Sequence, residues 1–128
     1  MIPGKNLLDT DVLIDYLRGL PQAVAFVRTL DSSICFSSIT VAEVYCGVKG
    51  ADEEEKIKEL FAHVPVIPFD LSIAREAGRL VAAYHKSHKL SLPDALIAAS
   101  CVQTGATLQT LNVRHYPMFA ALTPPYSK

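Results

Sequence analysis

The sequence predicts a single α/β domain with a central, mostly parallel sheet. Short apolar runs typical of strands alternate with segments of helical periodicity along the whole chain of 128 residues, which is the pattern of an α/β sandwich. Half of the residues are hydrophobic and 20% are charged, as in globular proteins. No internal repeat, low-complexity tract or linker interrupts the chain, so we expect one domain over residues 1–128.

The first half of the chain predicts two strands and three helices. The buried run KNLLD predicts the first strand, and VLIDYLRG predicts a helix that Gly19 and Pro21 end. PQAVAFVRTL predicts a second helix with the same proline in its first turn. SICFSS predicts a short strand, and ITVAEVYCGV predicts a helix whose start fits a capping box formed by Thr40 and Glu43.

The second half predicts three further helices and two strands. ADEEEKIKELFAH has an acidic first turn and later lysines, as the helix dipole favours, and VPVIPF is a short strand interrupted by prolines. Asp70 is expected to cap a long helix with an apolar stripe. SLPDALIAASCVQTG is apolar nearly all round, which predicts an interior helix closed by Gly105. ATLQTL predicts the last strand, and TPPYSK predicts a tail.

Composition excludes several classes of protein. No apolar run reaches the roughly 20 residues that span a bilayer, and the start of the chain lacks the layout of a secretion signal. The three cysteines, Cys35, Cys46 and Cys101, form no CxxC pair, so we expect small core residues in a cytoplasmic protein. The net charge of −1 is not that of a protein that binds nucleic acid through phosphate neutralisation alone. If the chain acts on a polyanion, positive charge must come from elsewhere, such as a metal ion.

Four acidic residues lie at predicted junctions between strands and helices. Asp9 ends a strand and Asp11 follows it, whereas Glu43 and Asp94 lie in the first turns of two apolar helices. Each of them alone has an ordinary structural explanation as a helix cap or part of a capping box. In a parallel sheet, however, the carboxyl ends of strands and the N-termini of the helices that follow them face the same edge. We therefore expect these carboxylates to meet.

Gathered carboxylates predict a divalent cation. Neighbouring carboxylates repel one another, and they take up a proton unless a cation removes the penalty. Mg²⁺ and Mn²⁺ prefer oxygen ligands, so three or four carboxylate or amide groups suit them. Such an ion lowers the pKa of a bound water and stabilises charge on a phosphodiester undergoing hydrolysis. No serine, cysteine or histidine nucleophile is then required.

Three motifs of the chain resemble, in order, those of PIN-domain ribonucleases. They are LLDTDVLIDYLRG, SSITVAEVYCGV and SLPDALIAASCVQTGATLQTLNVRHYPMF, and the resemblance covers essentially the whole chain. It is closest to the VapC-type toxins of type II toxin–antitoxin modules. The resemblance implies a three-layer α/β/α sandwich with a central parallel sheet. It also implies endonucleolytic cleavage of RNA that depends on Mg²⁺ or Mn²⁺ and leaves a 5′-phosphate and a 3′-hydroxyl.

The resemblance also implies roles for particular residues. The three acidic ligands of the family fall on Asp9, Glu43 and Asp94, and Asp11 stands where many relatives carry Asn or Ser. The final motif often supplies a fourth acidic residue, and here Asn112 takes that place. We expect Asn112 to contribute hydrogen bonds to the catalytic site without adding charge, which supports a first metal ion better than a second.

Other residues near the motifs have more than one interpretation. Thr110 is expected to orient the site, and Arg114 is the basic residue best placed to contact an RNA phosphate. Asp15 matches a common family residue, although a surface carboxylate on the first helix explains it equally well. His115 could lie near the site, but a surface or packing role is favoured, and His85 and His88 are expected to be exposed.

The resemblance implies two protein partners. Members of the family usually form homodimers, and a cognate antitoxin usually wraps the toxin and directs a basic or aromatic side chain towards the carboxylates. We expect an apolar docking groove between the early helices that involves Val24, Val27 and Phe61.

Two other functions remain open at this point. LLDTDVL also imitates the motif of haloacid-dehalogenase-type phosphatases, with Asp9 as nucleophile and Asp11 as general acid. That chemistry needs a lysine before an acidic pair late in the chain, and only Asp94 is present there. The second alternative is a PIN-like binding module that has lost its chemistry.

Overall fold

A four-stranded parallel sheet forms the centre of the fold in the computed structural model, which describes residues 4–128. The strands are β1 (Asn6–Leu8), β2 (Ile34–Ser37), β3 (Val66–Ile67) and β4 (Thr107–Gln109), in the spatial order β3-β2-β1-β4. All three strand pairs are parallel, and Leu7 of β1 lies opposite both Cys35 of β2 and Leu108 of β4. The parallel sheet confirms the predicted α/β class.

Six helices cover the two faces of the sheet. They are α1 (Thr10–Leu17), α2 (Pro21–Leu30), α3 (Ser38–Cys46), α4 (Ala51–His63), α5 (Leu71–His88) and α6 (Leu92–Thr104), followed by a 3₁₀ turn at Val113–His115. All six correspond to predicted helices. Within the part of the chain that the structure describes, no helix is both long and apolar enough to cross a membrane.

Successive residues of a strand belong to two separate hydrophobic cores, one on each face of the sheet. Leu7 packs with α5 and α6, whereas the next residue, Leu8, packs with α1 to α4. In β2, Cys35 belongs to the same core as Leu7, and Phe36 belongs to the same core as Leu8. The reason is that successive side chains of a strand point to opposite faces. The structure therefore has the three layers of an α/β/α sandwich, as the resemblance implied.

Two of the predicted helix ends are confirmed. Asp70 caps α5, with Oδ1 accepting a hydrogen bond from the Ile73 amide at 2.9 Å. Gly105 ends α6 in the left-handed region with φ 83°, where glycine has no steric penalty.

The predicted capping box at the start of α3 is wrong. Ser37 is the N-cap, and its hydroxyl accepts a hydrogen bond from the Ile39 amide at 3.2 Å. Thr40 lies inside the helix and is fully buried. The prediction that every cysteine is a core residue is also wrong, because Cys46 at the end of α3 is exposed, whereas Cys35 and Cys101 are buried.

The predicted tail is anchored on the first two helices. The Tyr126 hydroxyl donates to Oδ2 of Asp15 at 2.8 Å, and Nζ of Lys128 lies 3.0 Å from Oδ1 of the same residue. The ring centroids of Tyr126 and Phe26 are 6.1 Å apart. Asp15 is only 5% exposed, so the interpretation of it as a surface carboxylate is wrong.

Candidate active site

Asp9 lies at the centre of the edge where the parallel strands end. It follows β1 directly, caps α1 and is 4% exposed. Its Oδ1 accepts a hydrogen bond from the Thr10 amide at 2.8 Å. Its Oδ2 accepts two more, from the Thr110 hydroxyl at 2.7 Å and from the Tyr116 hydroxyl at 3.0 Å. These three donors fix the orientation of the carboxylate, and the contact with Thr110 agrees with the expectation that this residue orients the site.

Burial gives the Asp9 carboxyl unusual electrostatics. Desolvation, followed by the negative charge of Asp11, raises the pKa of Asp9 to about 6. The hydrogen bonds from Thr110, Thr10 and Tyr116 act in the opposite direction, because they stabilise the ionised form. The Tyr116 hydroxyl is itself buried beside the charges of Asp9 and Asp94, which raises the pKa of the phenol well above its usual value. The phenol therefore remains a hydrogen-bond donor to Asp9.

A pair of threonines connects Glu43 to Asp9. The Thr10 hydroxyl donates to Oε1 of Glu43 at 2.7 Å, and it lies 2.9 Å from the Thr40 hydroxyl. Because Thr10 uses its single proton for Glu43, Thr40 must be the donor in the second bond. The backbone amide of Thr10 binds Asp9 at the same time. One residue thus holds two of the three predicted acidic ligands.

Asp94 reaches the same edge from the start of α6. Its amide donates to Oγ of Ser91, the N-cap, at 3.3 Å. Oδ2 of Asp94 lies 3.4 Å from Nδ1 of His115. His115 is exposed, as the favoured surface interpretation predicted, and it also lies beside one of the predicted ligands. His85 and His88 are exposed, as expected.

Asp11 has a structural role beside the site. Its Oδ1 accepts from the Val12 amide at 2.7 Å and its Oδ2 from the Leu111 amide at 3.0 Å. It thereby ties the loop after β4 to the first turn of α1. Burial raises the pKa of Asp11, and the two amide bonds oppose that rise.

Asn112 lies further from the strand end than predicted. β4 ends at Gln109, so Asn112 belongs to the loop before the 3₁₀ turn and is exposed. Its amide donates to the Thr110 hydroxyl at 3.0 Å. A direct contribution of its side chain to the chemistry stays a prediction.

The three predicted ligands suit a divalent cation by donor type, because Mg²⁺ and Mn²⁺ bind carboxylate oxygens. They lie at one edge of the sheet, where Thr10 links Asp9 to Glu43 and Tyr116 is near both Asp9 and Asp94. Among residues 4–128, however, no three acidic, histidine or cysteine side chains are close enough together to hold a metal ion. A single three-ligand pocket therefore stays a prediction. Glu43 is exposed and Asp94 is 29% exposed in its side chain, so both have room to change rotamer.

Sequence reasoning missed two residues of the site. Thr10 lies between the two aspartates of the first motif, and Tyr116 directly follows His115 in the final motif. No signal in the sequence singled out either residue. Tyr116 is distinguished by its burial, since it is only 1% exposed, and burial is not visible in a sequence.

An open groove lies beside Glu43, between early helices as predicted, but it is lined by residues other than the predicted ones. It has a volume of about 860 Å³, and its lining includes Ile14, Leu17 and Ile57, from α1 and α4. Val27 is buried, and Phe61 packs edge-on against Phe36 with ring centroids 5.3 Å apart. Val24, Val27 and Phe61 therefore do not form the groove.

The fold and the acidic edge agree with the family that the chain matches. The family model of the PIN domain matches residues 7–117, and the chain belongs to this family. It is 38% identical over 124 residues to ribonuclease VapC10 of Mycobacterium tuberculosis, covering 94% of this chain and 92% of that one. It is 37% identical over 128 residues to ribonuclease VapC19 of the same organism, covering 94% and 99%.

Solved structures show the same architecture. A toxin–antitoxin complex from Klebsiella pneumoniae superposes with a TM-score of 0.83 at 27% identity, covering 97% of this chain and 100% of that one. FitAcB from Neisseria gonorrhoeae superposes with a TM-score of 0.72 at 28% identity, covering 94% and 97%.

Proposed function

We propose that this chain, as one PIN domain over residues 1–128, is a metal-dependent endoribonuclease and the toxin of a type II toxin–antitoxin system. The observation that carries the proposal is the buried Asp9 carboxylate at the strand edge, with Glu43 and Asp94 reaching the same edge. The similarity to two ribonucleases over nearly the whole chain supports the choice of RNA as substrate.

Asp9, Glu43 and Asp94 are the residues that would hold the cation. When bound, Mg²⁺ or Mn²⁺ supplies a water of lowered pKa and charge stabilisation at the phosphodiester. Asp9 provides a fixed oxygen donor, because three hydrogen bonds determine its orientation. Glu43 is orientated by the hydroxyl of Thr10. We propose that Asn112 assists from the loop after β4 through hydrogen bonds, without adding negative charge.

The decisive test compares RNA cleavage by the native chain with cleavage by Asp94→Asn. We expect the native chain to cut single-stranded RNA with Mg²⁺ or Mn²⁺ and to stop when a chelator is added. Asp94→Asn should fold normally and lose most of its cleavage rate, because the substitution removes one charged oxygen donor. Asp31→Asn is the matched control, because Asp31 is exposed at the end of α2. A soluble Asp94→Asn protein with native activity would contradict the assignment.

Metal binding distinguishes the ribonuclease from the alternative of a binding module without chemistry. Calorimetric titration with Mn²⁺ should show binding to the native chain and weaker binding to Asp94→Asn. A folded native sample that neither binds Mn²⁺ nor cleaves RNA would favour the module. The phosphatase alternative loses support from the geometry, because both oxygens of its required acid, Asp11, accept backbone amide hydrogen bonds.

We also propose a cognate antitoxin and a homodimer as partners. The groove beside Glu43 combines apolar Ile14 and Leu17 with both acidic and basic residues, among them Asp52 and Lys56, which suits a partner segment that has apolar side chains flanked by charges of both signs. Support for the antitoxin comes from the toxin–antitoxin complex with the same fold. Leu71 and Val102 are 67% and 47% exposed and are candidates for the dimer contact. Sedimentation of the purified chain measures the oligomeric state directly.

A further inference from the structure

A second cleft beside the carboxylates has the opposite charge. It has a volume of about 470 Å³ and lies between the end of α5 and the 3₁₀ turn after β4. Its polar lining comes from Ser87, His88, Lys89, Arg114 and His115. In the part of the chain that the structure describes, no acidic side chain lines it. The cleft therefore offers cationic and hydrogen-bonding groups in a protein whose net charge is −1.

Lys89 and Arg114 bring uncompensated positive charge to this cleft. Both residues are exposed, and none of the ion pairs found within residues 4–128 includes either of them. Two cations that face one cleft repel each other, and an anion between them relieves that repulsion. The composition of the cleft thus favours an anionic ligand.

Lys89 has a backbone conformation that usually selects glycine. Lys89 closes α5 in the left-handed region, with φ 53° and ψ 36°. α6 ends in the same region with Gly105, which is the residue that this conformation favours. Lysine pays a steric cost in this conformation that glycine avoids. The helix end of α5 therefore keeps a cation where glycine would fit better.

The cleft is continuous with the candidate active site through His115. That residue lines the cleft, and its Nδ1 lies 3.4 Å from Oδ2 of Asp94. A single RNA strand with one phosphate at the carboxylates must extend its neighbouring phosphates away from them, because like charges repel. The basic cleft is the adjoining surface that accepts negative charge. Proteins that bind single strands commonly use a positively charged groove that follows the nucleic-acid backbone.

We propose that Lys89 and Arg114 form a subsite for a backbone phosphate of the RNA strand next to the scissile one. The subsite rests on the proposed function for its substrate class. The subsite also makes a prediction that is independent of the carboxylates. The cleft determines the affinity of the protein for single-stranded RNA and the salt dependence of that affinity. Binding through phosphates releases counterions, and each phosphate contact on a single strand contributes about 0.7 to the salt slope.

The test measures binding of a fluorescently labelled single-stranded RNA by anisotropy over a range of KCl concentrations, with a chelator present to prevent cleavage. Lys89→Gln and Arg114→Gln should each weaken binding and flatten the slope of log K against log [salt] by about 0.7, and the double variant by about 1.4. Arg79→Gln and Lys86→Gln are the matched controls, because both residues are exposed on α5 and neither lines the cleft. The controls should keep the native slope.

Cleavage of the same RNA with Mn²⁺ separates this proposal from the ribonuclease assignment. The cleft variants should raise KM several-fold and leave kcat within about twofold of native, whereas a structural defect would lower kcat and the melting temperature together. If the native chain cleaves RNA and the double variant keeps the native slope, the subsite is refuted and the ribonuclease stands. If the slope flattens but no metal supports cleavage, the cleft is a phosphate-binding site for RNA, and both the ribonuclease and the position of the subsite next to a scissile phosphate are refuted. A native chain that binds no RNA refutes the subsite.

Discussion

Replacement of Asp9 by asparagine should stabilise this protein at neutral pH while it abolishes metal binding. Burial and the charge of Asp11 raise the pKa of Asp9 from 3.8 to about 6, so the folded state binds more protons than the unfolded state between these two values. Stability that depends on this group is therefore highest below pH 4 and falls as the pH rises to 6. A shift of this size corresponds to about 3 kcal/mol.

Asp9→Asn keeps the shape of the side chain and removes its charge. The Thr10 amide can still donate to the remaining oxygen, and the hydroxyls of Thr110 and Tyr116 can rotate to accept from the new amide group. We expect the variant to be more stable than native by about 2–3 kcal/mol at pH 7.5 and nearly equal to it at pH 4. Because only the difference between the two proteins is used, the titration of other groups cancels.

The assay is urea denaturation followed by circular dichroism at both pH values, in the presence of a chelator, with Asp31→Asn as control. An Asp9→Asn protein that is less stable than native at pH 7.5, or that differs from native equally at both pH values, would refute the reasoning. Addition of Mn²⁺ should then stabilise the native protein, by about 2.7 kcal/mol at 100 times its dissociation constant. The same addition should leave Asp9→Asn unchanged.

Two further substitutions test the contacts around the site. Thr10→Val removes the donor to Glu43 and leaves the buried Thr40 hydroxyl without its partner. We expect a loss of about 1–3 kcal/mol in stability and a lower rate of RNA cleavage. Thr10→Ser keeps the hydroxyl and should therefore retain most of the native stability and rate. Tyr126→Phe removes the hydrogen bond to Asp15 and should cost about 1–2 kcal/mol in urea denaturation, with cleavage unchanged. A variant as stable as native would show that this hydrogen bond contributes nothing to stability.

Local sequence patterns determined most of the secondary structure. Apolar periodicity, together with Asp70 and Gly105 at helix ends, predicted the helices correctly because these signals act within a few residues of one another. The capping box at Thr40 failed for the opposite reason. Ser37 competes as the cap, and the Thr40 hydroxyl is drawn to Thr10, a residue 30 positions away.

The amino-acid sequence by itself placed the acidic residues at strand and helix ends, and through the order of its motifs it indicated the family. Only the tertiary structure decided what surrounds each carboxylate. It brought Thr110 and Tyr116 onto Asp9 across more than 100 residues of chain, and it buried Asp15 under the tail. Burial and hydrogen bonding between distant segments set the charge and orientation of these groups, and neither is encoded in any local stretch of the chain.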